Sequence, residues 1–302
     1  MARKLKWTHA PTSMRDALKK RSLFVSQIRQ FFSERNVIEV QTSQLLDTPT
    51  TDVYIDSIVM QVNQDIRPQI KYLHTSPELE MKKLLANGSG DIYQICSVFR
   101  DNEQGFQNFN EFTMLEYYRL DFNSLELMNE IVELLRYLDF KGDISLLSYE
   151  QAFIKFADID ILEADFNALK KVAKTHGLCT DFEWIEDLQI LLFTHLIEPE
   201  LAKLDACFVY DYPACQSALA KVEGGVALRF ELYIKGIEVA NGYDELQNVE
   251  EYRQRFKSEI DKRTILGKTT VELDENFLSD LKNPLPQCSG VAIGIERLLS
   301  VK

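Results

Sequence analysis

The sequence holds a few groups of residues whose types and spacing could do chemistry. In the stretch 98–118, VFRDNEQGFQNFNEFTMLEYY, two runs of strand-forming residues flank a polar loop at 101–110. The first run ends in Arg100. In the second, strand side chains alternate between faces. Phe112, Met114, Glu116 and Tyr118 therefore share one side, and Glu111, Thr113, Leu115 and Tyr117 the other. An arginine and a carboxylate on neighbouring antiparallel strands suit a zwitterion, with guanidinium for the acid group and carboxylate for the amine. The same spacing also describes a plain β-hairpin with a surface ion pair.

A second group lies in LRFELYIKGIEVANGYDEL, 228–246. Glu231 and Glu238 sit on an apparent strand pair broken at Lys235-Gly236. Acids this deep in apolar sequence are costly unless they meet cations; the alternative is a solvent-facing strand edge. Asn241, Tyr243 and Glu245 follow at alternate positions, one face of a strand. Thr75-Ser76-Pro77-Glu78 opens a helix predicted over 77–87, with Pro77 in the first turn and Ser76 as cap. Glu78 could be no more than a carboxylate on the helix dipole. Near the C-terminus, a small-residue strand at 288–295 carries Gly290 and Gly294, which let backbone approach a ligand, and Arg297 opens the last helix.

The elements that must position these residues follow from periodicity. Leu18, Phe24, Val25, Ile28, Phe31 and Phe32 keep helical spacing over 13–35, and a strand starts at 37–40. Residues 53–62 and 70–74 alternate like strands around a polar turn at 63–69. A strand at 92–99 precedes Arg100, and 123–140 reads as an amphipathic helix. The segment 149–197 reads as helical, and 208–212 as a short strand. Charged helices at 248–266 and 274–282 lead to the glycine-bearing strand. The pattern predicts an α+β fold in one domain over 1–302, with a small helical insertion at about 142–204. His176 and His195 in that insertion carry no metal spacing.

Composition excludes several classes. The chain has 302 residues, 45% of them hydrophobic, enough for a large core. Cys96, Cys179, Cys207, Cys215 and Cys288 are scattered and odd in number, which predicts reduced thiols in a cytoplasmic setting and no zinc site. No apolar run approaches a membrane span, and the N-terminus lacks the apolar core of a signal peptide. A net charge of −13 disfavours wide binding to tRNA. Residues 1–21 are the exception, with seven Lys/Arg against Asp16. That edge could dock an acidic partner, or simply be a solvated helix start.

FR-(loop)-EFTMLEYY resembles motif 2 of the class II aminoacyl-tRNA synthetases, specifically the lysyl branch. RSLFVSQIRQFFSERNVIEVQT (21–42) resembles motif 1, TSPELEMKKLL (75–85) the substrate-entry segment, IEVANGYDEL (237–246) the lysine-pocket strand, and CSGVAIGIERL (288–298) motif 3. These segments run in family order over nearly the whole chain. The resemblance implies an antiparallel β-sheet flanked by helices and a homodimer built on motif 1, although Ser43 stands where the family's dimer proline is expected. It also implies roles for residues. Ser76, Glu78, Glu116, Tyr118, Asn241, Glu245 and Ala292 would bind the amino acid. Arg100, Asn102, Glu103, Asn108, Phe112, Glu231, Glu238, Gly294 and Arg297 would bind ATP. Glu231 and Glu238 would hold Mg²⁺, and Arg100 and Arg297 would be catalytic.

The sequence also departs from that family. Motif 1 begins near residue 15, so no anticodon-binding domain is expected ahead of it. Ala292 replaces a glycine and Ser76 an alanine. The motif 2 loop carries Asn102, Glu103 and Asn108-Phe109-Asn110 where relatives have other residues. These features resemble lysyl-tRNA synthetase paralogues that modify a protein. They imply ATP-dependent adenylation of (R)-β-lysine or lysine, and transfer to a lysine side chain of elongation factor P, without tight tRNA binding. Two alternatives stay open: a lysine-activating enzyme with another acceptor, and a catalytically silent paralogue that binds a partner.

Overall fold

A computed structural model describes residues 13–64, 67–103 and 108–301. In chain order the helices are α1 (Met14–Ser33), α2 (Glu78–Ala86), α3 (Ser124–Tyr137), α4 (Tyr149–Ala157), α5 (Phe166–Thr175), α6 (Ile185–Leu192), α7 (Glu198–Leu201), α8 (Val249–Ile265), α9 (Glu275–Asp280) and α10 (Ile295–Val301). The strands are β1 (Ile38–Glu39), β2 (Leu45–Leu46), β3 (Val59–Gln64), β4 (Arg67–Leu73), β5 (Ile92–Phe99), β6 (Glu111–Leu120), β7 (Ile144–Ser148), β8 (Ala206–Pro213), β9 (Val222–Glu223), β10 (Val226–Ile234), β11 (Ile237–Asp244) and β12 (Cys288–Gly294). The expected α+β class with helices flanking largely antiparallel strands is what forms.

Contacts divide the chain into two compact units, Met1–Phe122 with Glu245–Ser300, and Asn123–Asp244 with the last two residues. In the first, β5, β6 and β12 pair antiparallel, and β1 joins β5 in parallel at the edge. Its small second sheet is antiparallel, with β4 between β2 and β3. In the second unit β8, β10 and β11 pair antiparallel, and β7 joins β8 in parallel.

Strand alternation divides the labour of β5, β6 and β12. Tyr93 and Tyr117 point to one side, where α1 lies. Phe32 of α1 stacks on Tyr93 at 4.5 Å and tilts against Tyr117 at 4.8 Å. The register sets Gln94, Glu116 and Ala292 opposite one another on the other side, with Ile92, Tyr118 and Gly290 one step along. One face is therefore spent on core and the other is free to carry chemistry.

Helix ends follow local sequence. Ser13 caps α1 by accepting from the Asp16 amide, and Asn123 and Ser148 form capping boxes on α3 and α4. Three readings need correction. The strand expected at 53–62 starts at Val59, because Asp52 accepts backbone amides of Tyr54 and Ile55 in a turn. The turn expected at 63–69 is shorter, since β3 and β4 pair out to Gln64 and Arg67. The segment 149–197 is interrupted by non-helical 158–165 and 176–184, and β7 lies within the stretch read as a helical insertion.

In the second unit Tyr149, Phe193, Tyr212 and Tyr233 form one aromatic cluster. Among the described residues no helix is long and apolar enough to cross a membrane, and none of the five cysteines is paired. Phe32→Ala should remove the plate between α1 and the strands and destabilise the protein by about 3–5 kcal/mol. Chemical denaturation checks this, and a loss below about 1 kcal/mol would show that α1 is held by other contacts.

Candidate active site

In the first unit, β6, β12, α2 and the turn after β11 bring a carboxylate pocket together. Tyr118 donates to Glu116 Oε1 at 2.6 Å, as their shared strand face requires. Glu116 is buried and its second oxygen, Oε2, has no hydrogen-bond partner. Burial, with Glu78 adding to it, pushes the Glu116 carboxyl up to about 8. Ala292 lies directly across the strand pair from Glu116. Gly290 admits no side chain here: a Cβ would sit 2.4 Å from Tyr118 Cε1 and 2.5 Å from Glu245 Oε1. Its freedom serves this pocket, a use not foreseen when it was read only as room for a ligand's approach.

Glu78 is the first residue of α2, with Pro77 as the cap position rather than the first helical residue. Ser76 Oγ accepts the Glu78 amide at 3.3 Å. The decisive neighbour is one that the sequence reading missed. Lys82, fully buried, places Nζ 2.6 Å from Glu78 Oε1 and 2.7 Å from Glu245 Oε2. The Tyr252 ring lies beside it at 5.4 Å. A Glu followed four residues later by Lys on a helix was a visible signal, but nothing marked that lysine as buried.

The motif 2 arginine sits at the end of β5. Arg100 Nε donates to the Thr75 carbonyl at 3.3 Å, and its guanidinium lies 5.2 Å from the Phe112 ring. The loop after it is closed by Arg100 N donating to Asn110 O at 2.9 Å and Asn110 Nδ2 to Arg100 O at 2.7 Å. Asn102 adopts a left-handed backbone (φ 56°), which asparagine tolerates better than most residues. Asn102 is exposed and Glu103 half-buried. At the far side of the loop, Asn108 accepts from Arg297 Nη2 at 3.2 Å, so the loop and the motif 3 arginine meet. Residues 104–107 lie outside the described residues. Glu296 fixes the start of α10 by accepting from Thr113 N and Oγ1, each at 2.8 Å, while Arg21 of α1 donates to Thr113 Oγ1. A Cβ at Gly294 would meet only the Arg297 side chain, at ordinary distances.

In the second unit, Glu231 is buried but not bare. Its oxygens accept from Tyr212 at 2.7 Å, Tyr233 at 2.5 Å, Arg229 at 2.5 Å and Asn241 at 3.4 Å. The sequence reading looked for an outside cation; Arg229, two residues earlier on the same strand face, is the counterion the protein supplies. A β-bulge between Leu232 and Tyr233 shifts the register, so that Glu231 pairs with Asn241 and Tyr233 with Glu238. The extra residue puts Asn241 and Glu238, three apart, on one face. Nearby Glu198, absent from the sequence reading, is raised to about 7 by burial and by Glu231 and Glu238.

The donor set has the chemistry that magnesium takes, hard carboxylate oxygens, and those of Glu231 already accept from protein donors. Among the described residues no group of three or more His, Cys, Asp or Glu is placed to hold a metal ion. Magnesium is usually held by one or two carboxylates together with substrate phosphates rather than by a protein cage. Glu231 and Glu238 supply that number of hard oxygen ligands on one face.

Residues 2–301 match the family model for tRNA synthetases class II (D, K and N). The chain belongs to this family. Curated relatives are similar over almost their full length. The elongation factor P–(R)-β-lysine ligase of Vibrio cholerae is 42% identical over 297 residues, 96% of this chain and 92% of the relative. The protein of the same name from Pectobacterium atrosepticum is 42% identical over 294 residues, 93% and 89% of the two chains. That from Avibacterium paragallinarum is 39% identical over 299 residues, 96% and 92%. The class II synthetase fold expected from the motifs is thus the fold of this chain's family.

Burial of Glu116 gives a measurable consequence. Its folded value of about 8 lies above the ordinary 4.5, so folding favours the protonated form. That stability is complete below the lower value and lost as pH rises through the upper one. Glu116→Gln should therefore gain on the native protein as pH rises from about 4.5 to about 8, by up to about 1.4 kcal/mol per pH unit, and keep that gain unchanged above pH 8. Denaturant titrations at pH 5 and pH 8 check this; a difference that does not change between them would mean Glu116 keeps an ordinary carboxylate value in the folded protein.

Proposed function

We propose that this class II synthetase-type chain is an ATP-dependent ligase that activates (R)-β-lysine and joins it to a lysine side chain of elongation factor P. The observation that carries the reading is the pocket of Glu78, Glu116 and Glu245, three carboxylates gathered about one buried lysine. Such a pocket suits an amino acid with two ammonium groups. The acceptor comes from the names of relatives that match nearly end to end. A cytoplasmic location accords with unpaired cysteines.

In the first step Glu78 takes the amino group near the acid end, and Glu116, Tyr118 and Glu245 take the distal ammonium. Arg100 neutralises the substrate carboxylate and the α-phosphate as that carboxylate attacks the α-phosphorus and diphosphate leaves. Arg297 holds the outer phosphates, and Asn108 holds Arg297. Asn102, Glu103 and Phe112 line the adenosine side, and Gly294 leaves room for it. Glu231 and Glu238 would hold magnesium, which would supply charge neutralisation to the phosphates when bound. Catalysis is positioning and electrostatic stabilisation, and requires no side-chain nucleophile. In the second step the acceptor amine attacks the adenylate carbonyl, an amide forms and AMP leaves.

Ser76 and Ala292 set the choice of isomer in this reading. The Ala292 methyl stands opposite Glu116, and penalises one placement of the amino group, while the Ser76 hydroxyl holds the displaced one. The reading includes a homodimer through α1 and β1. Met14, Leu18 and Leu23 of α1 and Ile38 of β1 expose apolar side chains there, as a two-fold interface would use.

Amino-acid-dependent exchange between ATP and diphosphate tests the first step. Exchange should favour (R)-β-lysine over L-α-lysine. Arg100→Ala should abolish it while the melting temperature holds. Ala292→Gly should narrow the preference for the β-isomer by roughly tenfold, the value of one methyl in a pocket. Exchange with α-lysine alone would favour a different acceptor. No exchange with either isomer would favour a silent partner-binding paralogue.

A further inference from the structure

Lys82 is a fully buried cation with two carboxylates at 2.6 and 2.7 Å, one from each side of the pocket. Glu78 belongs to α2 and Glu245 follows β11, so the ammonium ties together two segments far apart in sequence. Burial keeps the Tyr252 phenol protonated, and that ring lies 5.4 Å from Nζ. A buried carboxylate with no cation takes up a proton instead of staying charged. Without Lys82, Glu78 and Glu245 would be weaker acceptors for any arriving amine.

The charge balance carries a second consequence. Glu78 and Glu245 set against Lys82 leave one negative charge, and Glu116, protonated near neutral pH in the free pocket, supplies a second when an arriving ammonium displaces its proton. A diamino acid brings two ammonium groups, and its own carboxylate is the group assigned to Arg100. A monoamino acid would leave one buried carboxylate unpaired, and a site whose polar groups are left unpaired rejects such a ligand strongly.

We infer that Lys82 is a positioning residue: a built-in ammonium that holds Glu78 and Glu245 in place and offsets one of the pocket's three carboxylates, so that the pocket takes diamino acids and refuses monoamino ones. The inference rests on the reading of this pocket as the amino-acid site of the ligase. Lys82 itself touches no reacting atom. Its loss should therefore weaken amino-acid binding and spare both ATP binding and the chemical step.

The test is exchange between ATP and diphosphate with separate titrations of (R)-β-lysine and ATP, for the native protein, Lys82→Met and Lys82→Arg, alongside their melting temperatures. Native exchange with (R)-β-lysine or lysine upholds the functional reading on which the inference stands, and its absence overturns both. With native exchange present, Lys82→Met should raise KM for (R)-β-lysine on the order of a hundredfold, one buried and one half-buried acceptor being released. KM for ATP and kcat should stay within about threefold, the scatter expected where no contact to the reacting groups is lost. Lys82→Arg keeps the charge and displaces it. It should raise the amino-acid KM by roughly tenfold, an intermediate effect for an imperfectly matched cation. If Lys82→Met does not fold, the arginine variant decides by the same split between the two KM values. An unchanged amino-acid KM in the folded variants overturns the inference. So does a parallel loss in KM for ATP and in kcat, which is the signature of a merely structural lysine.

Discussion

The first unit depends on one buried ion triad, Glu78–Lys82–Glu245. An ammonium without solvent access is stable only beside opposite charge, and Lys82 donates to Glu78 at 2.6 Å and is ion-paired with Glu245 at 2.7 Å. The triad fixes the start of α2 against the turn after β11. Glu245 N also donates to the Cys288 carbonyl at 3.0 Å, which ties that turn to the first residue of β12. Gly290, two residues further along β12, then lies so close to Tyr118 and Glu245 that no side chain fits. Four segments separated in sequence thus converge through contacts that are polar or sterically exacting. A hydrophobic replacement of similar volume could stabilise such a site, but it could not bind an amine.

The second unit solves the same problem with a different cation. Glu231 is held by Arg229, two tyrosines and Asn241, so its orientation is set before any ligand arrives. Fixed donors and acceptors are what electrostatic catalysis needs, because they cost no reorganisation during reaction. The bulge after Leu232 lets a strand pair present Glu231, Asn241 and Glu238 together, although regular alternation would have put Glu238 on the other face.

The legible part of the sequence was the part governed by local rules. Alternation set Glu116 and Tyr118 on one face, and they are hydrogen-bonded there. The helical spacing of Phe24, Ile28, Phe31 and Phe32 placed α1 within a few residues of its ends. The Glu78–Lys82 spacing and the Arg229–Glu231 alternation were also on the page, yet neither cation was read as enclosed, because other segments enclose them: Glu245 and Tyr252 for Lys82, Tyr212 and Gln216 for Arg229. The bulge at Leu232 had a weak local sign in the break at Lys235-Gly236, which makes the turn rather than the bulge. Strands at 53–58 were overread because Asp52 accepts two backbone amides and bends a chain that alternates like a strand.

Charge explains why an acidic protein can carry a site for an acid-bearing substrate. A net charge of −13 would repel ATP if it were uniform. The strands separate the signs instead. Glu78, Glu116 and Glu245 are gathered around Lys82, whereas Arg100 lies against Phe112 and the Thr75 carbonyl, and Arg297 reaches Asn108 at the other end of the motif 2 loop. A zwitterion is oriented by such a separation, with its amines drawn to one end and its carboxylate to the other. In the proposed reaction the substrate carboxylate is the nucleophile, so the distance between the two signs also sets where attack occurs. The length of the amino acid is thereby measured from its distal amine, which makes the buried carboxylates the reference point for the chemistry at the arginine.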